Sequence, residues 1–233
     1  MSVLHRYLIV VAGGRGIRMG AVVPKQFLTL SGKPIIFHTI DRFLEYDPGI
    51  EVIIVLSRDS TSVWEELCIK HGFDHDHNMV IGGEERYNSV KNGLSLVRQK
   101  SLVAVHDAVR PLVSTGTIER CFLMAEKKGN AVPFINPSES IREIHSATRN
   151  RVLNRDMIAL IQTPQVFRSD ILLAAYGKAF QPGFTDDASV VEAAGHKINL
   201  VEGNTENIKI TTAEDLMVAE VLLGNQAYPR RTS

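Results

Sequence analysis

The residue pattern with the clearest chemistry is a glycine-rich, cationic loop that follows the first apolar run of the chain. The stretch Val10–Gly20 has the sequence VVAGGRGIRMG, and Pro24–Leu28 has the sequence PKQFL. Glycine lets main-chain N–H groups approach an anion together, without a side chain in the way. Arg15, Arg18 and Lys25 add cationic charge to the same segment. This combination favours a polyphosphate site, and the alternative is a tight surface turn with incidental arginines.

Two common phosphate-binding loops are excluded by the spacing of these glycines. The P-loop pattern needs a second glycine five residues after the first, but that position is Arg18 counted from Gly13 and Met19 counted from Gly14. The dinucleotide pattern GxGxxG, counted from Gly14, also fails at Met19. A triphosphate site remains open, without either standard cofactor loop.

Two further polar loops follow apolar runs that are typical of buried strands. Gly82–Arg86, with the sequence GGEER, follows a short strand predicted at Met79–Ile81. His106–Pro111, with the sequence HDAVRP, follows a strand predicted at Leu102–Val105. Ligands of parallel α/β sheets bind beyond the carboxyl ends of the strands. We therefore expect both loops and the glycine-rich loop to line one site.

The elements that must position these loops alternate between strand and helix. Short apolar runs predict buried strands, and apolar residues three and four positions apart predict helices. This order predicts the α/β class: a Rossmann-like, mostly parallel sheet with helices on both faces, in a single domain over residues 1–233. The predicted strands are Tyr7–Ala12, Val52–Leu56, Met79–Ile81, Leu102–Val105, Ala131–Ile135, Ala159–Gln162 and Lys197–Val201. The predicted helices are Pro34–Tyr46, Ser60–His71, one opened by GGEER and running to about Val97, Ser114–Lys127 and Phe184–Gly195.

Residues 136–154 interrupt this alternation. They are polar, charged and weakly alternating, and a structureless loop of this length is unusual inside a compact domain. We therefore predict a projecting β-arm that pairs with a partner subunit.

Two helices carry start signals. Thr185 is the predicted cap of the helix Phe184–Gly195, and Thr211 with Glu214 predicts a capping box for a closing helix. The segment NIKIT, Asn207–Thr211, leads into that helix.

Composition excludes several classes of partner. Lys+Arg and Asp+Glu both number 26, so nothing supports a nucleic-acid-binding or anionic-membrane surface. The first apolar run is too short to span a membrane, no cleavage site follows it, and the two cysteines form no metal pattern. We expect a cytoplasmic protein. His71, His75 and His77 are expected in a helix end and a solvated polar loop, not in a zinc site.

Together the motifs carry a resemblance. The glycine-rich loop with PKQFL resembles the signature of sugar-phosphate nucleotidyltransferases. The motifs GGEER, HDAVRP, TPQVF, TDDAS and VEGNTENIKIT narrow the resemblance to the 2-C-methyl-D-erythritol 4-phosphate cytidylyltransferase family, over residues 6–223. This resemblance implies transfer of CMP from CTP to methylerythritol phosphate, with release of pyrophosphate, in the non-mevalonate route to isoprenoids. It also implies Mg²⁺ or another divalent cation as cofactor.

The resemblance also implies roles for individual residues. Attack of a phosphate dianion on a polyanion needs cations and in-line positioning. Arg18 and Lys25 match the cations at the α-phosphate, Lys209 a lysine that helps place the substrate, and Asp107 a carboxylate near the metal. The residues that match CTP-binding positions are Ala12, Gly13, Gly14, Gly83, Glu84, Ser89, Asp107 and Ala108.

The resemblance implies that the arm crosses to a second copy of the chain. Ser140 aligns with a hydroxyl residue that holds methylerythritol phosphate, and Arg155 with an arginine that grips its phosphate. A homodimer with exchanged arms is therefore expected, with Arg155 completing the catalytic set.

Two departures keep other functions open. The family usually has Ala-Ala-Gly where this chain has Ala12-Gly13-Gly14, and Ile17 stands where a basic or polar residue is common. One alternative is a ribitol 5-phosphate cytidylyltransferase, which would differ in the arm and in the alcohol pocket. Another is a non-catalytic nucleotide-binding module, against which the joint presence of Arg18, Lys25, Asp107 and Lys209 argues.

Overall fold

The structure is a computed structural model that describes residues 4–13 and 23–226. Its strands are β1 His5–Ala12, β2 Thr29–Leu30, β3 Lys33–Pro34, β4 Glu51–Leu56, β5 His77–Ile81, β6 Ser101–Asp107, β7 Asn130–Ile135, β8 Ile141–Ile144, β9 Asn150–Leu153, β10 Leu160–Ile161, β11 Gln165–Arg168 and β12 Leu200–Glu202. Its α-helices are α1 Ile35–Tyr46, α2 Thr61–His71, α3 Arg86–Leu94, α4 Thr115–Lys128, α5 Ser169–Tyr176, α6 Asp187–Ala193 and α7 Ala213–Gln226.

The central sheet confirms the predicted α/β class. Its strand order is β10-β7-β11-β6-β1-β4-β5, and β12 pairs with β7 outside this path. Strand β1 is parallel to β4 and β6, and β4 is parallel to β5. Strand β11 lies between β6 and β7 and runs antiparallel to both. The parallel half carries the three predicted loops at its carboxyl edge.

Helices cover both faces of this sheet because its central strands are apolar on both sides. On one face, Leu8 and Val10 of β1 belong to a core that includes Ile40 of α1. On the other face, Ile9 packs in a second core with Val90 of α3. Burial on both faces fixes the position of β1, and therefore that of its carboxyl end at Ala12.

Two helix caps differ from the prediction by one residue. Helix α6 is capped by Asp186, not Thr185: its carboxylate accepts from the N–H of Ser189, whose hydroxyl accepts from the N–H of Asp186. Before α7, the side chains of Thr212 and Asp215 bond to each other's main-chain N–H, so the box is not formed by Thr211 and Glu214. A carboxylate is a strong acceptor for the free N–H groups of a first turn, which explains why Asp186 caps α6 in place of the predicted Thr185.

Residues 136–154 contain the predicted hairpin. Strands β8 and β9 pair antiparallel, from Ile141 opposite Leu153 to Ile144 opposite Asn150. The hairpin exposes apolar side chains: Ile144 is 71% exposed and Val152 is 67% exposed.

Two other expectations are modified. His77 is not in a solvated loop: it lies on β5, where its Nε2 accepts a hydrogen bond from the indole of Trp64 at 3.0 Å. Helix α3 ends at Leu94, short of the expected Val97. Among residues 4–13 and 23–226, we find no helix with the length and apolarity needed to cross a bilayer.

Candidate active site

A cleft of about 340 Å³ opens at the carboxyl ends of β1, β5 and β6. It brings together residues from all three predicted loops and from the NIKIT segment. The predicted site residues that line it are Ala12, Gly13, Lys25, Gly83, Glu84, Ser89, Asp107, Ala108 and Lys209. Gly14 and Arg18 lie outside the residues that the structure describes.

Hydrogen bonds between the loops hold the floor of the cleft. The amide of Gln26 donates to the carbonyl of Ala12 at 2.8 Å, which ties the segment carrying Lys25 to the end of β1. The N–H of Ala108 donates to the carbonyl of Val11 at 3.1 Å, and so joins the HDAVRP loop to the same strand end. Both the segment that carries Lys25 and the HDAVRP loop are thereby held against the end of β1.

The GGEER loop needs glycine at residue 83. The N–H of Gly83 donates to the hydroxyl of Ser89 at 3.2 Å, and that hydroxyl donates to the carbonyl of Glu85 at 3.1 Å. A Cβ at residue 83 would lie 2.3 Å from the Cβ of Asn88, so a side chain there would force the loop away from α3. The loop and the first turn of α3 therefore form one compact wall of the cleft.

Asp107 is the electrostatic centre of the cleft. Its Oδ2 lies 2.9 Å from Lys209 Nζ and 3.5 Å from Arg110 Nε, and its Oδ1 lies 3.7 Å from Arg86 Nε. Burial alone would raise the pKa of Asp107, but the charges of Arg86, Lys209 and Arg110 hold it well below the usual value. The carboxylate stays ionised, and three cations are fixed around it.

The segment that carries Lys209 is extended and is held against the HDAVRP loop. Arg110 Nη1 donates to the carbonyl of Asn207 at 2.7 Å, and the N–H of Ile210 donates to the carbonyl of Val109 at 3.0 Å. The buried amide of Asn207 donates to the carbonyl of Thr163 at 2.8 Å. These contacts anchor the main chain on both sides of Lys209, whose side chain stays 43% exposed toward the cleft.

Sequence reasoning missed several residues of this site. Arg110 bridges Asp107 and the NIKIT segment, and Arg86 pairs with the fully buried Asp187 of α6. In the sequence, Asp187 is an acid in the first turn of a predicted helix, which indicates only a favourable interaction with the helix dipole. Its partner is 101 residues earlier in the chain, so no local pattern reveals the pair.

The described residues do not form a resident metal site. No group of three or more His, Cys, Asp or Glu side chains among them is arranged to hold an ion. Both oxygens of Asp107 already face cations, which would repel a metal ion at this carboxylate. Ligation of a metal by Asp107 stays a prediction that this arrangement does not favour.

Ser140 and Arg155 do not line the cleft. Both are exposed at the base of the arm, where Arg155 Nη1 donates to the carbonyl of Ser138 at 2.8 Å. Arg155 lines a second depression of about 310 Å³ with residues 136–138 and Asp156. Within one chain, the two predicted substrate residues are therefore separate from the cleft that Lys25, Asp107 and Lys209 line.

Comparison with known proteins identifies the family. The family model described as 2-C-methyl-D-erythritol 4-phosphate cytidylyltransferase matches residues 7–225. A relative with that name from Bacteroides thetaiotaomicron is 48% identical over 220 residues, which cover 94% of this chain and 100% of the relative. This chain belongs to that family. A second relative, from Bacteroides fragilis, is 49% identical over 218 residues, covering 94% of this chain and 99% of the relative.

Solved structures of the family share the fold. The 2-C-methyl-D-erythritol 4-phosphate cytidylyltransferase of Thermus thermophilus has a TM-score of 0.76 at 30% identity, covering 94% of this chain and 98% of its own. The 4-diphosphocytidyl-2C-methyl-D-erythritol synthase of Anaerococcus prevotii has a TM-score of 0.80 at 27% identity, covering 95% and 96%. The resemblance drawn from the motifs is confirmed, as is the enzyme class, a nucleotidyltransferase.

Proposed function

We propose that this protein transfers CMP from CTP to 2-C-methyl-D-erythritol 4-phosphate, giving CDP-methylerythritol and pyrophosphate. The observation that carries the proposal is the cleft in which Lys25, Asp107 and Lys209 meet the nucleotide-binding loops, in a chain of this family. The pathway is the non-mevalonate route to isoprenoids. The location we propose is the cytoplasm, where CTP is made.

In this reaction an ionised phosphate oxygen of the acceptor attacks the α-phosphorus of CTP, and pyrophosphate leaves. Because the nucleophile is already charged, the protein needs no general base, and its task is to neutralise and align crowded anions. Lys25 lines the cleft, and by family resemblance it would act with Arg18 on the phosphates of CTP. Lys209, held by Asp107, supplies a cation for the incoming phosphate.

Cytosine selection falls to the main chain and small side chains of the loops. Gly13 and Gly83 line the cleft without a side chain between the main chain and the ligand, and Ser89 orders the second loop by accepting from the N–H of Gly83. A rigid set of main-chain donors and acceptors distinguishes one base edge from another, because a base that cannot pair leaves buried polar groups unsatisfied. Ala12, Gly14, Glu84 and Ala108 complete this proposed surface.

The divalent cation of the reaction would enter with the triphosphate. Mg²⁺ is commonly held by substrate phosphates and retained waters with few protein ligands, which agrees with a cleft whose Asp107 carboxylate already faces three cations.

The acceptor site is completed by a second copy of the chain. Exposed apolar side chains cluster along the arm and the strand that follows it, which supports a homodimer. These residues are Ile144, Val152, Met157, Leu160 and Ile161. In this arrangement Ser140 and Arg155 of one arm bind the methylerythritol phosphate in the cleft of the other copy.

The test is release of pyrophosphate from CTP and Mg²⁺ with each of two acceptors, methylerythritol 4-phosphate and ribitol 5-phosphate. We expect release with the first acceptor and a rate at least tenfold lower with the second. Release with ribitol 5-phosphate alone would assign the other alcohol. Release with neither acceptor, from a protein that binds CTP, would support the non-catalytic module.

A further inference from the structure

A partly buried ion pair connects the wall of the cleft to α6. Arg86 opens α3 and donates two hydrogen bonds to Asp187, from Nη1 to Oδ1 at 3.0 Å and from Nη2 to Oδ2 at 2.7 Å. The hydroxyl of Tyr176 donates to the same Oδ1 at 2.6 Å. The Asp187 side chain is 0% exposed. A bidentate contact of this kind fixes the plane of the guanidinium as well as its position.

The Nε of Arg86, which does not contact Asp187, lies on the side of the cleft. Its Nε lies 3.7 Å from Asp107 Oδ1, whereas Lys209 and Arg110 approach the other oxygen, Oδ2. Arg86 therefore has two carboxylate neighbours, and the closer contact is with Asp187. As long as Asp187 binds both terminal nitrogens of Arg86, Arg86 does not compete with Lys209 for Oδ2 of Asp107.

We propose that Arg86 and Asp187 are a positioning pair for the transfer reaction: Asp187 holds Arg86, and Arg86 fixes the carboxylate of Asp107 in the orientation that presents Lys209 to the cleft. This inference rests on the proposed function. Without Asp187, the guanidinium of Arg86 would turn to Asp107, its other carboxylate neighbour, and compete with Lys209 for it. Without Arg86, Asp107 would be free to rotate, and the ammonium would move with it.

A purely structural pair makes a different prediction. Removing one member of a buried pair leaves an uncompensated charge and destabilises the fold, whereas removing both charges together is much milder. The double variant Arg86→Met with Asp187→Asn therefore separates stability from positioning. If the pair only supports the fold, the double variant recovers activity together with stability.

The experiment measures kcat, the KM for CTP and for methylerythritol phosphate, and the thermal midpoint of this double variant. We expect a folded protein whose kcat is lowered about tenfold to a hundredfold, since misplacement of a catalytic group by about 1 Å can have effects of this size. The matched control is Arg6→Met with Asp47→Asn, a partly buried pair with a 2.8 Å contact between the first strand and the end of α1. Its kcat should stay within about twofold of wild type.

A second measurement decides the case if the double variant does not fold. Arg86→Lys keeps the charge but loses the planar fork. We expect a folded enzyme with kcat lowered at least about fivefold, and wild-type kcat in either Arg86→Lys or the folded double variant would overturn the proposal.

Dependence on Lys209 gives the sharpest test. In a Lys209→Ala background, the double variant Arg86→Met with Asp187→Asn should lower kcat by no more than about twofold, because residues that act as a unit are not additive. A full additional loss would show that Arg86 acts by another route and would contradict the proposal. An inactive wild-type protein would instead refute the proposed function.

Discussion

Asp107 organises the chemistry of the cleft at the residue scale. It is a carboxylate in a site for polyanions, which by itself would repel the substrate. Because Lys209, Arg110 and Arg86 surround the carboxylate, Asp107 holds these three cations in fixed positions. Fixed cations stabilise a transition state more than mobile ones, since no reorganisation is needed as charge develops.

Replacement of Lys209 tests this role directly. Lys209→Ala removes the cation nearest to Asp107 and should lower kcat by about 10²–10³, the range found when one preorganised donor to a developing charge is lost. The matched control is Lys127→Ala, at an exposed position near the end of α4, which should leave kcat within about twofold. An equal effect of the two substitutions in steady-state assays would contradict the assignment.

His106 makes stability depend on pH. Burial lowers the pKa of this imidazole to about 4 from an ordinary 6.5, while its Nε2 contacts the carbonyl of Arg110 at 3.1 Å. The unfolded chain therefore binds a proton first, and the free energy of unfolding should fall by about 3 kcal/mol as pH drops from about 6.5 to about 4. Above the unfolded pKa this contribution is constant.

Urea unfolding of wild type and His106→Gln at several pH values measures this effect. Gln keeps a donor for the Arg110 carbonyl but has no titrating ring. The difference in stability between the two proteins should shift in favour of the variant as pH falls toward 4. Parallel pH profiles would show that His106 does not titrate as its burial requires.

At the element scale, several hydrogen bonds hold the start of α6 in place. Gln165 of β11 donates to Asp186 at 2.7 Å and accepts from the N–H of Ala188 at 2.7 Å. Asp186 also caps the helix, and Asp187 next to it holds Arg86. A short helix thus links the antiparallel half of the sheet to the cleft.

Substitutions at Asp186 and Thr185 test which of these two adjacent residues caps α6. Asp186→Ala removes the acceptor for the N–H of Ser189 and for Gln165, and should lower the free energy of unfolding by about 1–2 kcal/mol. Thr185→Ala, at the cap predicted from sequence, should cost less than about 0.5 kcal/mol. Chemical denaturation of both variants gives the comparison, and a larger effect at Thr185 would restore the original assignment.

The elements also show what the sequence could predict. The apolar runs and the polar loops that follow them located β1, β4 and β6 and the residues at their carboxyl ends, because burial on both faces leaves a strong local pattern. The insertion of β11 between β6 and β7 left no such pattern, since four residues do not specify their neighbours. The Arg86–Asp187 pair was missed for the same reason: its partners meet only after the sheet and α6 are assembled.

At the scale of the whole molecule, the proposed site is divided between two copies of the chain. Lys25 and Lys209 line the cleft, whereas Arg155 lies at the base of the arm and outside it. A dimer with exchanged arms would bring one Arg155 to each cleft.

Mixing two inactive variants tests that exchange. Lys25→Ala alters the cleft and Arg155→Ala alters the arm, so each homodimer has two defective sites. If arms serve the partner's cleft, half of the randomly mixed dimers contain one intact site, and about a quarter of wild-type activity should return. If each arm serves its own chain, every site keeps one defect and mixing restores nothing.

Transfer of the CMP group itself is the central claim, and it is measured with CTP labelled at the α-phosphorus. Incubation with methylerythritol 4-phosphate should move the label into a sugar nucleotide, with one equivalent of unlabelled pyrophosphate released for each product formed. Label that remains in CTP, or appears only in CMP through hydrolysis, would contradict the account.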